Sequence, residues 1–384
     1  MNFPIDKFQA LRTPFYYYDT HLLDQTLDEA KRCLYADYHL HYAVKACTNP
    51  QVLRHIVAAG LGADCVSGGE IRACLDAGFP ADKIVFAGVG KSDWEIELAL
   101  MADIFCFNVE SIPELEVINE LAQRHGKVAR VAFRINPNVG AHTHDNITTG
   151  LAENKFGIAW EQTQEVIERS RQMSHIECIG LHFHIGSQIL DMDDFATLAL
   201  RINELQEVLD TYGIRLPHIN VGGGLGIDYQ EPDEHPIPNF RDYFDTFHRY
   251  LRLRQGQQLH FELGRSLVAQ CGSLITRVLY VKPTSLKRFV IVDAGMTDLI
   301  RPALYDAYHR IDNLSRQDGD EVYDVVGPIC ESSDVFVRDY HMPTTFRGDL
   351  LALRSAGAYG EIMASQYNCR ALPVGHTDEE LCRQ

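Results

Sequence analysis

One stretch of sequence decides the fold of this chain, and it reads His41-Tyr42-Ala43-Val44-Lys45-Ala46-Cys47-Thr48-Asn49-Pro50. It predicts a short apolar strand that ends at a single lysine and is followed by a turn. Packing alone rarely places an ammonium group at the end of an apolar strand. Two interpretations follow from this stretch. Lys45 is either a snorkelling side chain at a strand end or a partly buried amine that forms a Schiff base with a carbonyl cofactor.

The sequence on both sides of Lys45 alternates between β-prone apolar runs and charged stretches with helical periodicity. Eight such strands over roughly 230 residues predict a (β/α)8 TIM barrel, which typically takes about 250. A doubly wound open sheet is the alternative, but it more often has fewer strands. The predicted barrel strands are 40–44, 61–66, 83–87, 103–107, 128–135, 176–185, 217–221 and 258–263.

After about Leu267 the pattern changes to strands without long helices between them. This tail predicts an all-β domain, and the aromatic strand near Phe15 is expected to join it. We therefore predict a barrel domain over 23–267 and a β domain made of 1–22 with 268–384. The strands expected in the tail are 274–281, 289–293, 323–327 and 350–353.

Composition excludes several classes of function. The formal net charge of −18 argues against binding to nucleic acid or to an anionic membrane, because both need a basic surface. No apolar run approaches the roughly 20 residues of a membrane helix, and the N-terminus has no signal-peptide pattern. The ten cysteines include no C-x-x-C pair, so we expect reduced thiols in a cytoplasmic protein rather than disulfides or a zinc site.

Barrel enzymes carry their chemistry at the carboxyl ends of the strands. The glycine loop at 222–224 follows predicted strand seven, where barrels commonly bind phosphate through backbone N–H groups. Arg265, after predicted strand eight, can add a bidentate contact to the same phosphate. Ser187 can donate a further hydrogen bond. A glycine-rich turn alone is a weak signal, and its position after strand seven gives it weight.

Two further strand ends carry ionisable groups. His182 and His184 lie on one side of a predicted strand and could ligate a metal, but only Asp64 and Glu262 are available as further ligands. Stacking on a flat ring suits one of these histidines better. Glu262 does not lie in a solvated sequence, and a carboxylate against a pyridine nitrogen keeps that ring an electron sink. These groups together describe pyridoxal 5′-phosphate.

The chain resembles the barrel-type (fold type III) pyridoxal-phosphate decarboxylases over nearly its whole length, from Phe15 to about Arg370. Two motifs, Arg301-Pro302-Ala303-Leu304-Tyr305 and Cys330-Glu331-Ser332, point to the branch that acts on diaminopimelate. The sequence departs from the family pattern after Arg370: the family usually continues through a further strand, whereas 371–384 is short and polar and does not by itself establish one. The other matching motifs are 42–46, 64–70, 153–157, 180–188, 222–224, 262–265 and 357–360.

The resemblance implies a role for each candidate residue. Lys45 is expected to carry the cofactor, His184 to stack on its ring and Glu262 to pair with the ring nitrogen, and Cys330 completes the catalytic set. The implied cofactor-binding residues are Lys45, Asp64, His184, Ser187, Gly223, Gly224, Glu262, Arg265 and Tyr359. The implied substrate-binding residues are Arg265, Arg301, Tyr305, Glu331 and Tyr359. The family pattern further implies a homodimer with shared active sites, in which Cys330, Glu331 and Tyr359 come from the partner subunit.

The expected reaction is decarboxylation of meso-2,6-diaminopimelate to L-lysine, the last step of lysine biosynthesis. Either Lys45 or Cys330 delivers the proton that replaces the carboxylate. One alternative is a decarboxylase of a smaller basic amino acid (ornithine, lysine or arginine), which has no use for an arginine such as Arg301 that clamps a second carboxylate. A non-enzymatic pyridoxal-phosphate carrier and, more distantly, a metal-dependent barrel hydrolase are the others.

Overall fold

The computed structural model describes residues 3–139 and 155–383. The chain forms two compact units. One comprises Leu27–Gly226 and Asn239–Gly264, and the other comprises Met1–Thr26, Ile227–Pro238 and Arg265–Gln384. The segment Ile227–Pro238 therefore groups with the second unit, although it lies within the range predicted for the barrel domain. The predicted ranges 23–267 and 268–384 stay a prediction.

The first unit is a parallel barrel, which confirms the predicted fold. Within the described residues, eight strands close into a ring because the fourth of them pairs with the fifth and the last pairs with the first. A ninth, two-residue strand, β7 (Ile158–Ala159), is attached to the outside of this order. The barrel strands are β2 (Tyr38–Ala43), β3 (Gly62–Cys65), β4 (Ile84–Phe86), β5 (Cys106–Val109), β6 (Ala129–Asn136), β8 (Ile176–His182), β9 (His218–Asn220) and β10 (Gln258–Leu263).

Helices follow the strands and cover the barrel. Their ends carry local signals: Ser67 caps one helix start by accepting a hydrogen bond from the Glu70 N–H, and Gly78 ends the same helix at φ +97°. Helix α2 (Thr20–Cys33) begins in the N-terminal segment and ends in this unit. The other helices of this unit are α3 (Pro50–Ala58), α4 (Gly68–Ala77), α5 (Asp93–Ala102), α6 (Ile112–Arg124), α7 (Thr163–Ser170), α8 (Met192–Thr211) and α9 (Phe240–Tyr250).

Aromatic packing fixes the orientation of strand β10. Phe261 points outward against helix α9, where its ring centroid lies 4.9 Å from that of Phe244 and 5.4 Å from that of Phe247. Side chains alternate along a strand, so His260 and Glu262 must point into the barrel. The outward packing of one phenylalanine therefore aims a carboxylate at the barrel interior.

The second unit is the predicted β domain. The N-terminal strand β1 (Phe15–Tyr18) pairs antiparallel with β11 (Gly272–Pro283), which confirms that the aromatic segment joins the tail. The remaining strands are β12 (Arg288–Val292), β13 (Ile311–Asn313), β14 (Glu321–Val326), β15 (Val335–Met342), β16 (Leu350–Leu353) and β17 (Val374–Thr377). The short helices are α1 (Ile5–Gln9), α10 (Arg265–Val268), α11 (Arg301–Tyr305) and α12 (Asp378–Arg383).

Residues 371–384, whose structure the sequence leaves open, do form a strand. Strand β17 forms there and pairs in parallel with β1, placing Val374 opposite Phe15 and Thr377 opposite Tyr18. Helix α12 then follows, and its Asp378 accepts hydrogen bonds from the backbone N–H and the hydroxyl of Thr20. The strand has little apolar content, and its hydrogen-bonded partner is β1. Among the described residues, no helix has the length and apolar character needed to cross a membrane.

Candidate active site

The carboxylate of Glu262 lies at the centre of a hydrogen-bonded group inside the barrel. Asn108 and Asn220 donate to its Oε1 over 3.0 and 2.6 Å, and His182 Nε2 lies 2.9 Å from Oε2. A carboxylate only accepts, so His182 must carry its proton on Nε2. All four side chains are buried and come from four different strands. The closure of the barrel therefore builds this group, and Glu262 is held in one orientation.

Glu262 is ionised despite its burial. Burial alone would raise its pKa, but His182, which also donates to it, together with His41 and Lys45 holds the pKa of Glu262 well below its usual range. Three donors occupy three of the roughly four lone-pair positions of the carboxylate. The group thus presents a fixed negative charge with room for one further donor, as a protonated ring nitrogen would require.

Asp64 is a second buried acid, but its pKa is shifted in the opposite direction to that of Glu262. Burial and the nearby charge of Glu262 raise the pKa of Asp64, against the opposing charge of Lys45. Its Oδ1 has no hydrogen-bond partner among the residues that the structure describes. An unpartnered buried oxygen of this kind is typical of a group that meets a ligand.

Lys45 lies in a single 3₁₀ turn, Val44–Ala46, immediately after strand β2. The turn is held by the Tyr42 hydroxyl, which donates to the Cys47 carbonyl over 2.9 Å. Gly264 packs against the same turn so closely that a Cβ there would lie 3.1 Å from the Cβ atoms of Ala43 and Ala46. Lys45 is partly exposed and lies close enough to influence the pKa of Asp64, Glu262 and His184. Lys45 thus follows directly on the end of the first barrel strand, and its role as the cofactor-binding lysine stays a prediction.

The glycine loop forms a cradle that has no room for side chains. A Cβ on Gly223 would lie 2.0 Å from the carbonyl oxygen of Glu262, and Gly222 and Gly224 have φ of +69° and +114°. The loop pairs with the loop that contains Ser187, since the Ile189 N–H donates to the Gly224 carbonyl over 2.9 Å. The structure thus brings the predicted phosphate-binding elements of the barrel together. Bare backbone at this position suits an anionic group.

His184 lies just beyond the end of β8 and is neutral. Its Nδ1 accepts a long hydrogen bond of 3.4 Å from the Gly223 N–H. Burial, then Arg134 and Lys45, lower the pKa of His184 well below its usual value. The two histidines of this segment therefore do different things: His182 binds Glu262, and His184 lies beside the glycine loop. Among the described residues, no group of three or more His, Cys, Asp or Glu side chains is arranged to hold a metal.

The second unit contains a separate cluster of arginines and tyrosines. Arg265 Nη1 donates to the Tyr229 hydroxyl over 2.7 Å, and its guanidinium lies 4.9 Å from the centroid of the Tyr359 ring. Arg301 contacts the same tyrosine, with its guanidinium 5.1 Å from the centroid of the Tyr229 ring. Burial would raise the pKa of Tyr229, but Arg265 and Arg301 hold it below its usual value.

Tyr359 lies within the cluster of its own chain, because its ring lies against Arg265. The expectation that Tyr359 serves the partner subunit's site stays a prediction. Cys330 and Glu331, the other two residues expected to serve the partner's site, are both exposed, whereas Tyr359 is half-buried. Glu331 accepts a hydrogen bond of 2.6 Å from the Tyr367 hydroxyl. Tyr305, at the end of α11, is partly exposed.

Sequence reasoning missed several residues of these clusters. From the sequence, His182 is a candidate only for metal binding or stacking, and Asn108 and Asn220 have no assigned role, although the place of Asn220 two residues before Gly222 is a usable signal. Tyr229 and His309 lie in loops that carry no motif. Arg134 forms a buried ion pair of 2.9 Å with Glu110, which supports a role inside the barrel. Glu153 and Asn154 of the matching motif 153–157 lie outside the described residues.

Comparison with known proteins adds an independent observation. The family model described as "Pyridoxal-dependent decarboxylase, pyridoxal binding domain" matches residues 21–269. A curated diaminopimelate decarboxylase from Bacteroides thetaiotaomicron is 64% identical over 381 residues, which are 99% of each chain. One from Helicobacter pylori strain J99 is 44% identical over 368 residues, covering 94% of this chain and 89% of that protein. The crystal structure of the H. pylori diaminopimelate decarboxylase complexed with L-lysine matches with a TM-score of 0.91 at 42% identity, covering 97% of this chain and 93% of that one.

Proposed function

The chain belongs to the family of pyridoxal-dependent decarboxylases, and on this basis we propose that it decarboxylates meso-2,6-diaminopimelate. The products are carbon dioxide and L-lysine, so the reaction is the last step of lysine biosynthesis. The carboxylate is lost from the D centre, since the product keeps the L centre. The names of the relatives support this substrate, and the rest of the support comes from the residues themselves.

The barrel residues fit pyridoxal 5′-phosphate. When bound, this cofactor supplies an electron-withdrawing ring that stabilises the carbanion left after loss of carbon dioxide. We propose that Lys45 Nζ holds the cofactor, that the fixed charge of Glu262 keeps its ring nitrogen protonated, and that neutral His184 stacks on the ring. Asp64 is the further acid of the set. The proposed phosphate contacts are Ser187, Gly223, Gly224, Arg265 and Tyr359.

One observation carries the choice of substrate. Arg301 is only 5% exposed, and within the described residues no carboxylate forms an ion pair with it. A buried guanidinium without a counterion is costly, so it is typical of a site that receives an anion. The carboxylate on the distal carbon of diaminopimelate is such an anion, and a bidentate contact with Arg301 would hold it. We propose that Tyr305 and Glu331 bind the same end of the substrate, with Glu331 facing its ammonium group.

The burial of Arg301 also bears on the alternatives. Arg301 is not a surface residue, because both it and the following Pro302 are buried. Ornithine and lysine, bound with their α-carbon at the reacting position, would leave this guanidinium without an anion. We therefore place decarboxylation of these smaller amino acids second, and a pyridoxal-phosphate carrier without catalysis third.

The proposal is tested by carbon dioxide release from purified, cofactor-loaded protein with four substrates: meso-diaminopimelate, L-lysine, L-ornithine and L-arginine. We expect kcat/KM for meso-diaminopimelate to exceed the other three by at least about 100-fold, the scale of about 3 kcal/mol that an unpaired buried charge costs. Comparable release from ornithine or lysine would contradict the substrate assignment. No release from any of the four would contradict the enzymatic function.

We also propose a homodimer in the cytoplasm, in which Cys330 and Glu331 serve the partner's site. Their exposure in the single chain supports this assignment, and all ten cysteines are free thiols.

Lys45 and Cys330 are the two candidate proton donors. Lys45→Ala and Cys330→Ala should each be nearly inactive, and mixing them should restore activity, because mixed dimers contain one intact site. Absence of recovery after demonstrated subunit exchange would contradict sharing.

A further inference from the structure

His309 is a buried histidine of the second unit and is 2% exposed. Its neighbours determine which of its ring nitrogens carries the proton. Its Nδ1 lies 2.8 Å from the carbonyl oxygen of Arg354, and its Nε2 lies 2.9 Å from Arg301 Nη1. A carbonyl only accepts, so Nδ1 carries the proton. A guanidinium only donates, so Nε2 must be bare. His309 is therefore a neutral imidazole in one tautomer.

The surroundings keep His309 neutral over the working range of pH. Burial and then the charge of Arg301 lower the pKa of His309 to about 3. Its ring packs edge-on against Tyr229, with 5.3 Å between centroids and 81° between planes. Tyr229 also lies under the Arg301 guanidinium at 5.1 Å. Arg301 is thus held from two sides, by an imidazole acceptor and by an aromatic face.

The chemical type of the acceptor at position 309 matters for the charge of Arg301. A carboxylate at position 309 would orient Arg301 equally well, but it would neutralise the guanidinium and compete with an incoming anion. A neutral acceptor fixes the direction of one N–H and leaves the positive charge to the ligand. His309 takes one of the five N–H donors of Arg301. The arrangement preorganises the guanidinium for a carboxylate without satisfying its charge.

We propose that His309 is a positioning residue that sets the affinity of Arg301 for the carboxylate on the distal carbon of the substrate. This inference rests on the proposed function, since it deepens the role given there to Arg301. It predicts that His309 acts on ligands that carry this carboxylate and not on diamines of the same length that lack it. His309 itself does not touch the reacting carbon.

Two ligands separate this role from a merely structural one. L-lysine, the expected product, keeps the distal carboxylate and ammonium, whereas cadaverine, 1,5-diaminopentane, has no carboxylate. We would measure the Kd of both ligands by calorimetry on cofactor-loaded protein. The variants are His309→Ala, which removes the acceptor, and His309→Gln, whose amide oxygen can accept from Arg301. The control is His341→Ala, which removes an exposed imidazole of the same unit that bonds to Asp320.

We expect His309→Ala to weaken L-lysine binding by about 10-fold or more, the scale of one hydrogen bond to a charged group, and to leave cadaverine within twofold. KM for meso-diaminopimelate should rise similarly while kcat stays within about threefold. His309→Gln and His341→Ala should stay within threefold of the parent for both ligands. Unchanged L-lysine affinity in His309→Ala, an equal loss for cadaverine, or failure of His309→Gln to recover affinity would each overturn the proposal. Failure of the proposed function is a separate result, because it shows as absence of carbon dioxide release from the parent protein.

Discussion

At the scale of single residues, Glu262 is the group whose chemistry depends most on its neighbours. Asn108, Asn220 and His182 hold its carboxylate in place, and His182 contributes most to keeping its pKa low. A glutamate in an apolar barrel would otherwise take up a proton and lose its charge. The three donors therefore explain how a buried acid remains an anion, as the proposed pairing with the ring nitrogen requires.

Glu262→Gln should keep the shape of this group and remove its charge. Asn108 and Asn220 can still donate to the amide oxygen, so we expect cofactor binding within about tenfold of the parent. Turnover of meso-diaminopimelate should fall on the order of 100-fold, because the charge acts mainly in the transition state. Steady-state kinetics and cofactor titration give the two values. The control is Glu177→Gln, an exposed glutamate on strand β8, and turnover of Glu262→Gln within a few-fold of that control would contradict the role of the charge.

At the scale of elements, the glycine loop after strand β9 depends on the absence of side chains. A Cβ on Gly223 would lie 2.0 Å from the Glu262 carbonyl oxygen, a distance that only movement of backbone could relieve. Gly90 is the matched control, because it is exposed and a Cβ there would have no atom within 4 Å. The two alanine substitutions thus differ in packing and not in chemistry.

Gly223→Ala should weaken cofactor binding at least tenfold and lower the free energy of unfolding by about 1–3 kcal/mol, the usual cost of overpacking. Gly90→Ala should leave both within error of the parent. Fluorescence titration with pyridoxal 5′-phosphate and chemical denaturation measure the two effects. Equal cofactor affinity in the two variants would show that the loop does not approach the phosphate closely.

The elements also show what could be predicted from sequence. The eight barrel strands were predictable because alternation of apolar strands and amphipathic helices is a local pattern. The Glu262 group was not, since Asn108 and Glu262 lie 154 residues apart and meet only when the barrel closes. Strand β17 was missed for a similar reason: Val374–Thr377 has little apolar content, and its strand conformation depends on pairing with β1. Lys45 and Arg301 were found because motifs marked them, while His309 carries no such mark.

At the scale of the whole molecule, a row of histidines links stability to pH; His41 and His260 are buried in it, and His218 is half-buried. His41 Nε2 lies 3.0 Å from His260 Nδ1, and His260 Nε2 lies 2.9 Å from His218 Nδ1, inside the barrel. Burial lowers the pKa of His41 to about 4, although Glu262 acts in the opposite direction. The unfolded chain binds a proton at this histidine near pH 6.5, and the folded chain does not until about pH 4. The free energy of unfolding should therefore fall as pH drops through this window.

His41 alone should lower the free energy of unfolding by about 2 kcal/mol between pH 7 and pH 5, because about 1.5 pH units of this window lie in that range, at 1.36 kcal/mol each. We expect the melting temperature of the parent to fall clearly over this range, and that of His41→Gln to fall less. Thermal unfolding followed by circular dichroism at both pH values provides the comparison. A melting temperature that stays constant from pH 7 to pH 5, or the same decrease in both proteins, would contradict this account.

Analysis of the products tests most directly whether this chain converts meso-diaminopimelate to L-lysine. Purified, cofactor-loaded protein is incubated with meso-diaminopimelate, carbon dioxide is quantified, and lysine is separated by chiral chromatography. We expect one carbon dioxide and one L-lysine for each substrate consumed, no D-lysine, and no product from Lys45→Ala. Formation of D-lysine, or consumption of meso-diaminopimelate without carbon dioxide, would contradict the proposed function.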